Sequence, residues 1–323
     1  MKNLQYLSLI ILAVAFTSCG SNSKKNSMPV IGYVDAFQDP TLAKARTGFT
    51  DALKKAGYEE GKTVKIEYRN AQGDIPTLTQ IVNYYISEKV DAMATCATLS
   101  SITAAQKTKT IPIFMTVSPT LKLMKMEGAD GKGQLNLFGA VEDLAYIDTS
   151  FSIIPKVLKP KNGKLVVGMI FNQSEPQSVD AKKRIEADAD KAGVTLVALP
   201  LNSSADAQLV TKSLLGKHID AFFANPDNSV FASFATILKN CNEANVPIFT
   251  SEAGLVERGA VAAFGADIYQ WGFQAGEQAA QFLKTGKTDG LQPEMVKVRL
   301  RVYNATAAQK FKITMPSTFQ AVK

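Results

Sequence analysis

Two uninterrupted apolar runs begin two similar stretches of the chain. Residues 30–34 and 165–171 contain no charged or amide side chain, which is typical of parallel strands that are covered on both faces. Each run is followed by a polar loop and then by a segment in which apolar residues recur every three or four positions, the spacing of a helix. Strands that alternate with helices of about 12 or more residues predict doubly wound parallel sheets.

The ends of the first helix in each stretch can be predicted from capping residues. In the first stretch Asp39 can serve as N-cap and Pro40 as the first helical residue, and Gly57 follows the last apolar position. In the second stretch Glu175 and Pro176 open the helix, and Gly193 closes it. Proline at the start and glycine just beyond the end are the usual asymmetry of helix termini.

The two stretches also share short sequence matches, which predict an internal duplication. Four matches occur in the same order at a nearly constant offset of roughly 130 residues: 55–57 with 191–193, 90–92 with 219–221, 111–114 with 246–249, and 138–140 with 264–266. We therefore predict an α/β protein composed of two doubly wound parallel-sheet lobes.

Polar segments at the predicted strand ends are the candidate binding site. Ligands of open parallel sheets bind beyond the carboxyl ends of the strands, where helix N-termini present free N–H groups. Aligning the two copies at Asp91 and Asp220 places residues 98–100 opposite residues 227–229. One lobe then offers neutral donors and the other a carboxylate, which suits a zwitterion whose ammonium group binds Asp227.

An alternative is that these polar residues only cap helices. Ser, Asp and, less often, Glu occur at helix N-termini because their oxygens accept the free N–H groups of the first turn. This alternative applies to Glu175, Ser178, Asp227 and Ser229.

Aromatic residues near the predicted cleft also have two interpretations. Phe37, Tyr146 and Phe171 could stack on a ligand, although packing in the core is the alternative for each. Trp271 begins an apolar-striped helix, and we expect it to pack in the core or at a hinge.

The N-terminus has the features of an export signal. A short basic start precedes the apolar run 4–16, which is too short to span a bilayer as a mature helix. Residues 16–19 resemble the lipobox of bacterial lipoproteins, in which the cysteine is acylated and becomes the new N-terminus. We therefore predict a signal peptide at 1–18, lipidation of Cys19 and a polar tether over 19–27. The alternative is a plain signal peptide with an incidental cysteine.

Composition argues against several function classes. The chain has 323 residues, enough for about two domains. Its net charge of +7 is spread over many helical segments, so we expect no nucleic-acid partner. One histidine, His218, and three cysteines leave too few ligands for a zinc site. We expect Cys96 and Cys241 to be buried free thiols.

Nucleotide-binding and nucleophile-elbow motifs are missing from the sequence. It contains no Gly-x-Gly-x-x-Gly after the first strand, no complete Walker-type Gly-x-x-x-x-Gly-Lys-Ser/Thr and no Gly-x-Ser-x-Gly. We therefore expect neither an enzyme nor a cofactor.

Four segments of the chain resemble one known family. Residues 48–58, 61–74, 226–230 and 258–276 are similar to the lipoprotein substrate-binding components of ABC transporters, in the branch described as tryptophan or tyrosine binders. The resemblance implies a type I periplasmic-binding-protein-like fold, in which two lobes joined by a hinge close around an amino acid. It also implies an ABC permease as partner. The family's cleft positions correspond to Thr98, Ser100, Asn172, Glu175, Ser178, Asp227, Asn228 and Glu252.

The family architecture implies a chain that crosses between the lobes three times. We place the first lobe at residues 28–142 with 268–292, and the second at 143–267 with 293–323. Crossings near Glu142, Asp267 and Pro293 would form the hinge. The expected protein is a monomer, lipid-anchored in the cell envelope. The alternative function is a ligand-sensing receptor for a membrane signalling protein.

Overall fold

The computed structural model describes residues 28–127 and 133–322. The predicted signal peptide (1–18), Cys19 and the tether (19–27) lie outside the described residues. Within the described part of the chain, no helix is both long and apolar enough to cross a membrane.

The first lobe is built on a six-stranded sheet with the order β11-β5-β4-β3-β1-β2. All its pairs are parallel, as the apolar runs predict. Its strands, numbered along the chain, are β1 (Val30–Asp35), β2 (Lys65–Asn70), β3 (Ala92–Cys96), β4 (Ile113–Pro119), β5 (Leu137–Glu142) and β11 (Glu294–Met295).

The second lobe is built on a seven-stranded sheet with the order β13-β12-β10-β9-β8-β6-β7. It is mixed, because β12 runs antiparallel to β10 while the other pairs are parallel. Its strands are β6 (Val166–Phe171), β7 (Thr195–Pro200), β8 (Ala221–Ala224), β9 (Ile248–Thr250), β10 (Ala262–Ala266), β12 (Arg299–Tyr303) and β13 (Gln320–Ala321).

Helices connect the strands in both lobes. The predicted caps at Asp39 and Gly193 are confirmed, whereas Glu175 precedes its helix without a side-chain capping bond. Asp39 accepts hydrogen bonds from the N–H groups of Thr41 and Leu42, and Gly193 ends its helix with a φ of 66°. The helices are α1 (Pro40–Lys55), α2 (Ile75–Ser87), α3 (Thr98–Lys107), α4 (Tyr146–Phe151), α5 (Ile153–Val157), α6 (Pro176–Ala192), α7 (Ala207–Leu215), α8 (Asn228–Ala232), α9 (Phe234–Glu243), α10 (Ala253–Glu257), α11 (Ile268–Thr285) and α12 (Ala305–Lys310).

Two glycines allow α11 to pack closely on α1 in the first lobe. A β-carbon on Gly272 would lie 1.8 Å from the backbone oxygen of Ala45, and one on Gly48 would lie 2.0 Å from that of Tyr269. Because no side chain separates the backbones at these points, α11 lies against α1 and the strands β4 and β5. The chain thus returns from the second lobe to the first after β10.

The third crossing differs by a few residues from the predicted position at Pro293. Strand β11 pairs with β5 of the first sheet, and the N–H of Val296 donates to the backbone oxygen of Val141 at 2.9 Å. β12 of the second sheet begins at Arg299. Residues 294–296 therefore complete the free edge of β5, and the chain leaves the first lobe after them.

Both cysteines of the described chain are buried and unbonded. Cys96 ends β3 and Cys241 lies in α9, and neither forms a disulfide. The prediction of two buried free thiols is confirmed.

Candidate ligand-binding site

The two lobes enclose a small cavity, which we call the inner cavity. Its volume is about 40 Å³, and both lobes contribute to its wall. The polar residues in the wall are Thr98, Glu142, Asp143, Tyr146, Gln177, Asn228 and Glu252.

Glu252 is a buried carboxylate in the wall of this cavity. It follows β9 at the carboxyl edge of the second sheet, and it precedes α10 without making a side-chain capping bond. Its side chain accepts a hydrogen bond of 3.0 Å from the hydroxyl of Tyr146. Burial raises the pKa of Glu252 to about 8; the Tyr146 bond opposes this shift and the charge of Glu142 adds to it.

Glu142 is a second buried carboxylate in the same wall. One oxygen accepts hydrogen bonds from Arg299 at 2.6 Å and from the N–H of Asp143 at 3.0 Å. The other oxygen is buried and has no partner among the described residues. Burial raises the pKa of Glu142, although Arg299 opposes the shift.

Sequence reasoning placed Glu142 at a crossing point and missed it as a site residue. A signal was present in the duplication. Glu142 lies two residues beyond the match at 138–140 and Asp267 one residue beyond the match at 264–266, so an acid closely follows the matched segment in each copy.

The inner cavity presents acceptors that lack donors. The side-chain oxygen of Gln177 is buried and has no partner in the described part of the chain, like the free oxygen of Glu142. None of the described residues that line this cavity is a lysine or an arginine. Buried acceptors cost free energy unless a donor reaches them. A ligand with several N–H donors and a positive charge fits this wall, and an ammonium group has three such donors.

Donors on the first lobe are provided by the start of α3. The helix begins at Thr98, which lies in the cavity wall, after Ala97 with a φ of 72°. No side chain caps α3, so the N–H groups of its first turn are available to an anion. Ser100 lies in that turn, and its buried hydroxyl has no partner within the described chain.

Asp227 does not face the cavity, which corrects the prediction that it binds the ligand's ammonium group. One oxygen accepts from the N–H of Asn172 at 2.6 Å and from the hydroxyl of Ser178 at 2.5 Å. The other accepts from the N–H of Val230 at 3.0 Å and so caps α8. Asp227 is fully buried and all of these partners belong to its own lobe. Burial raises its pKa, against the effect of the Ser178 bond.

Glu175 is also engaged within the second lobe. Its carboxylate accepts from the N–H and the side-chain amide of Asn228, at 3.0 and 2.8 Å, and from the hydroxyl of Ser229 at 3.1 Å. Burial raises the pKa of Glu175, and the charge of Asp227 acts in the same direction. Asn172 joins this network through a 2.8 Å bond to Ser229. The network fixes the start of α8 at the edge of the cleft.

The predicted site residues therefore separate into three groups. Thr98, Asn228 and Glu252 line the inner cavity. Asn172 and Glu175 line a neighbouring groove. Ser100, Ser178 and Asp227 line neither of the two.

The neighbouring groove, which we call the outer groove, also lies between the lobes. Its volume is about 580 Å³, within the range of roughly 300–1,000 Å³ that is usual for ligand pockets. The first lobe contributes apolar side chains such as Phe37 and Leu99, and the second contributes amides and hydroxyls such as Asn202 and Ser229. The inner cavity, at about 40 Å³, is too small for a whole amino acid. The lobes must therefore separate before a ligand of that size can occupy it.

Three aromatic side chains line the inner cavity beside the acids. They are Tyr146, Phe231 and Trp271. The indole N–H of Trp271 donates to the backbone oxygen of Ala140 at 2.8 Å, which fixes the ring at the wall. Tyr146 was predicted as an aromatic that could stack on a ligand, whereas Trp271 was predicted only to pack in the core or at a hinge.

Two α/β lobes, three crossings between them and a polar cleft at the strand ends define a type I periplasmic-binding-protein-like fold. The family model for ABC transporter substrate binding proteins matches residues 30–322. The chain belongs to this family.

Relatives of known sequence or structure are similar over nearly the whole chain. A tyrosine-binding protein of Clostridioides difficile (strain R20291) is 33% identical over 306 residues, which is 90% of this chain and 87% of that one. The structure of a conserved domain protein from Vibrio cholerae is 28% identical with a TM-score of 0.81, and the match covers 92% of this chain and all of that one. An ABC domain from Streptococcus pneumoniae in complex with L-Trp has the same fold, with a TM-score of 0.78 at 23% identity over 90% of this chain and 97% of that one.

Proposed function

We propose that the protein is the extracytoplasmic, lipid-anchored solute-binding component of an ABC importer, and that its ligand is an amino acid with an aromatic side chain. It binds as a monomer and releases the ligand to a membrane permease, without catalysis. The family match supports the transport role. The observation that supports the ligand class is the set of unpartnered acceptors in the inner cavity, together with the three aromatic rings beside them.

The proposed orientation of the ligand differs from the one that the sequence predicts. The ammonium group lies between Glu142, Gln177 and Glu252, because Glu142 and Gln177 each present a buried oxygen that lacks a donor and the Glu252 carboxylate lies in the same wall. The carboxylate lies at the N-terminus of α3 near Thr98, where free N–H groups stabilise negative charge. Asp227 holds α8 in place behind the site.

An aromatic side chain is supported by the wall composition. Tyr146, Phe231 and Trp271 offer ring faces or edges within the same cavity as the two carboxylates, and paired aromatic rings contribute about 0.5–1.5 kcal/mol beyond their buried area. A relative of 33% identity carries the name tyrosine-binding protein, and a structural neighbour was solved with L-Trp. We infer the same ligand class for this chain.

Thermal unfolding in the presence of each of the twenty amino acids tests this proposal. A ligand that binds only the folded state stabilises it by about 2.7 kcal/mol at a hundredfold excess over its dissociation constant. We expect tyrosine, tryptophan or phenylalanine to raise the melting temperature most, and N-acetylated forms of the same amino acids to have no effect. Stabilisation by a sugar or a nucleoside, with none by amino acids, would contradict the proposal.

The proposed lipid anchor is tested by the substitution Cys19→Ser. A single acylated residue provides the attachment, so we expect the variant to leave the membrane fraction and appear in the soluble one. Cys241→Ser is a matched control, because Cys241 is buried in the second lobe, and it should stay with the membranes. Membrane association that persists in the Cys19→Ser variant would refute the anchor.

A further inference from the structure

Helix α10 connects the inner cavity to the opposite lobe. Glu252, at its N-terminal end, lies in the cavity wall. Arg258, which follows its last residue, reaches the first lobe and forms a 2.6 Å ion pair with Asp39. One short element of the second lobe therefore carries both a proposed ligand-binding carboxylate and a contact across the cleft.

We propose that Arg258 is an interlobe latch: its ion pair with Asp39 stabilises the closed arrangement of the lobes and slows the release of bound ligand. Arg258 lines neither the inner cavity nor the outer groove, so it acts on closure as a positioning residue. The effect on ligand release rests on the proposed function, whereas the effect on closure does not.

Hydrogen bonds within the first lobe hold the Asp39 carboxylate in position for this contact. One oxygen of its carboxylate caps α1 by accepting from the N–H groups of Thr41 and Leu42, at 2.8 and 3.1 Å. The other oxygen accepts from Arg258. The side chain of Asp39 is 1% exposed and that of Arg258 is 24% exposed, so bulk solvent screens this pair weakly.

Arg258 is held on the side of the second lobe by an aromatic ring. Its guanidinium carbon lies 5.1 Å from the ring centroid of Phe234, within the range of a cation–π contact. The same guanidinium lies 3.4 Å from the hydroxyl of Thr41. A planar group held between one lobe's ring and the other lobe's carboxylate can form both contacts only when the lobes are together.

The surrounding contacts show that the lobes meet closely at this point. A β-carbon on Gly254 in α10 would lie 2.2 Å from a methyl carbon of Thr41 in α1. Lys44 and Glu257 form a second ion pair between the same two helices. Their side chains are 41% and 48% exposed, and exposed pairs of this kind contribute little. The buried Asp39–Arg258 pair is therefore the contact that we assign to the latch.

Loss of Arg258 alone should disfavour the closed form, because it would leave the buried Asp39 carboxylate without its counter-charge. We expect Arg258→Met to raise the dissociation rate of L-tyrosine, measured by stopped-flow fluorescence, by about tenfold or more. The association rate should change by less than about threefold, since steps after encounter mainly set release.

The partner substitution Asp39→Ser removes the carboxylate and keeps a residue that caps helices well. If the two side chains act as a pair, the double variant Arg258→Met, Asp39→Ser should release ligand no faster than Arg258→Met alone. Arg184→Met is the matched control. It removes an ion pair with Asp148 that lies within the second lobe, and it should leave both rates unchanged.

A measurement of closure without ligand separates the latch from the proposed function. Spin labels at Gln106→Cys and Ser203→Cys face each other across the outer groove from opposite lobes and are exposed. If neither L-tyrosine nor another aromatic amino acid binds, the proposed ligand class is wrong. The latch then predicts a short-distance population that shrinks in Arg258→Met and not in Arg184→Met.

Two results would overturn the latch. If L-tyrosine binds, the latch is refuted by a dissociation rate that is unchanged in Arg258→Met. It is also refuted if the effects of Arg258→Met and Asp39→Ser on that rate are additive. If no ligand binds, the latch is refuted by distances between the spin labels that are the same in the wild type and in Arg258→Met.

Discussion

The substitution Glu252→Gln is expected to weaken the binding of an aromatic amino acid by roughly 30-fold or more. The buried carboxylate is expected to accept a charge-assisted hydrogen bond from the ligand's ammonium group. Truncating or neutralising one partner of such a pair costs about 2–5 kcal/mol. Glutamine has nearly the same shape and keeps an oxygen for the Tyr146 hydroxyl, so the cavity should remain intact. Calorimetric titration measures the change.

Two controls make this result specific to the ammonium group. Glu186→Gln, at a half-exposed carboxylate of the same lobe, should leave affinity unchanged. An analogue of the ligand that lacks the amine should bind the wild type and Glu252→Gln equally. If Glu252→Gln and the wild type bind the complete amino acid with the same affinity, the proposed ammonium position is wrong.

The same residue predicts a pH dependence of binding. With the lobes together and no ligand bound, burial raises the pKa of Glu252 to about 8, so near pH 7 the group is mostly protonated in this arrangement. A bound ammonium group favours the ionised form and lowers this pKa. Binding therefore releases a proton, and affinity should rise with pH by up to about tenfold per pH unit until it levels off near pH 8. The rise should be smaller in Glu252→Gln.

The fold was predictable because its signals are local and repeated. Apolar runs without polar interruption mark the buried parallel strands, and the caps at Asp39 and Gly193 depend on residues within one turn. The antiparallel pairing of β12 with β10 was not predictable in this way. The direction of β12 depends on where the chain re-enters the second lobe after α11, and no local pattern in residues 299–303 indicates this direction.

The candidate site was predictable in place and only partly in its residues. Parallel topology places the strand ends at one edge, so Thr98, Asn228 and Glu252 could be predicted to lie together, and all three line the inner cavity. The sequence does not predict which side-chain oxygens remain without a hydrogen-bond donor. Glu142 keeps one oxygen unpartnered among the described residues, whereas both oxygens of Asp227 are engaged by donors from Asn172, Ser178 and Val230. Those donors lie up to 55 residues away along the chain, beyond the reach of spacing arguments.

The carboxylate of Asp227 is a structural group, and Asp227→Ala should therefore lower stability far more than affinity. The substitution removes a helix cap, which costs about 0.5–2 kcal/mol. It also leaves the N–H of Asn172 and the hydroxyl of Ser178 buried without their acceptor, at about 1–3 kcal/mol for each unsatisfied group. Removing the buried carboxylate also removes its desolvation penalty, which offsets part of this loss of stability. We expect a net loss of about 2–4 kcal/mol in the free energy of unfolding, measured by urea denaturation.

Asp74→Ala provides the matched control for this prediction. Asp74 caps α2 through a 2.8 Å bond from the N–H of Thr77, but its side chain is exposed, so only the cap is lost and about 1 kcal/mol is expected. At a temperature where Asp227→Ala is folded, its affinity for the aromatic amino acid should stay within about threefold of the wild type. In the proposed orientation Glu142 and Glu252 hold the ammonium group, and Asp227→Ala leaves both in place. A large loss of affinity at unchanged stability would instead show that Asp227 binds the ligand directly, and Glu252→Gln would then be the variant without effect.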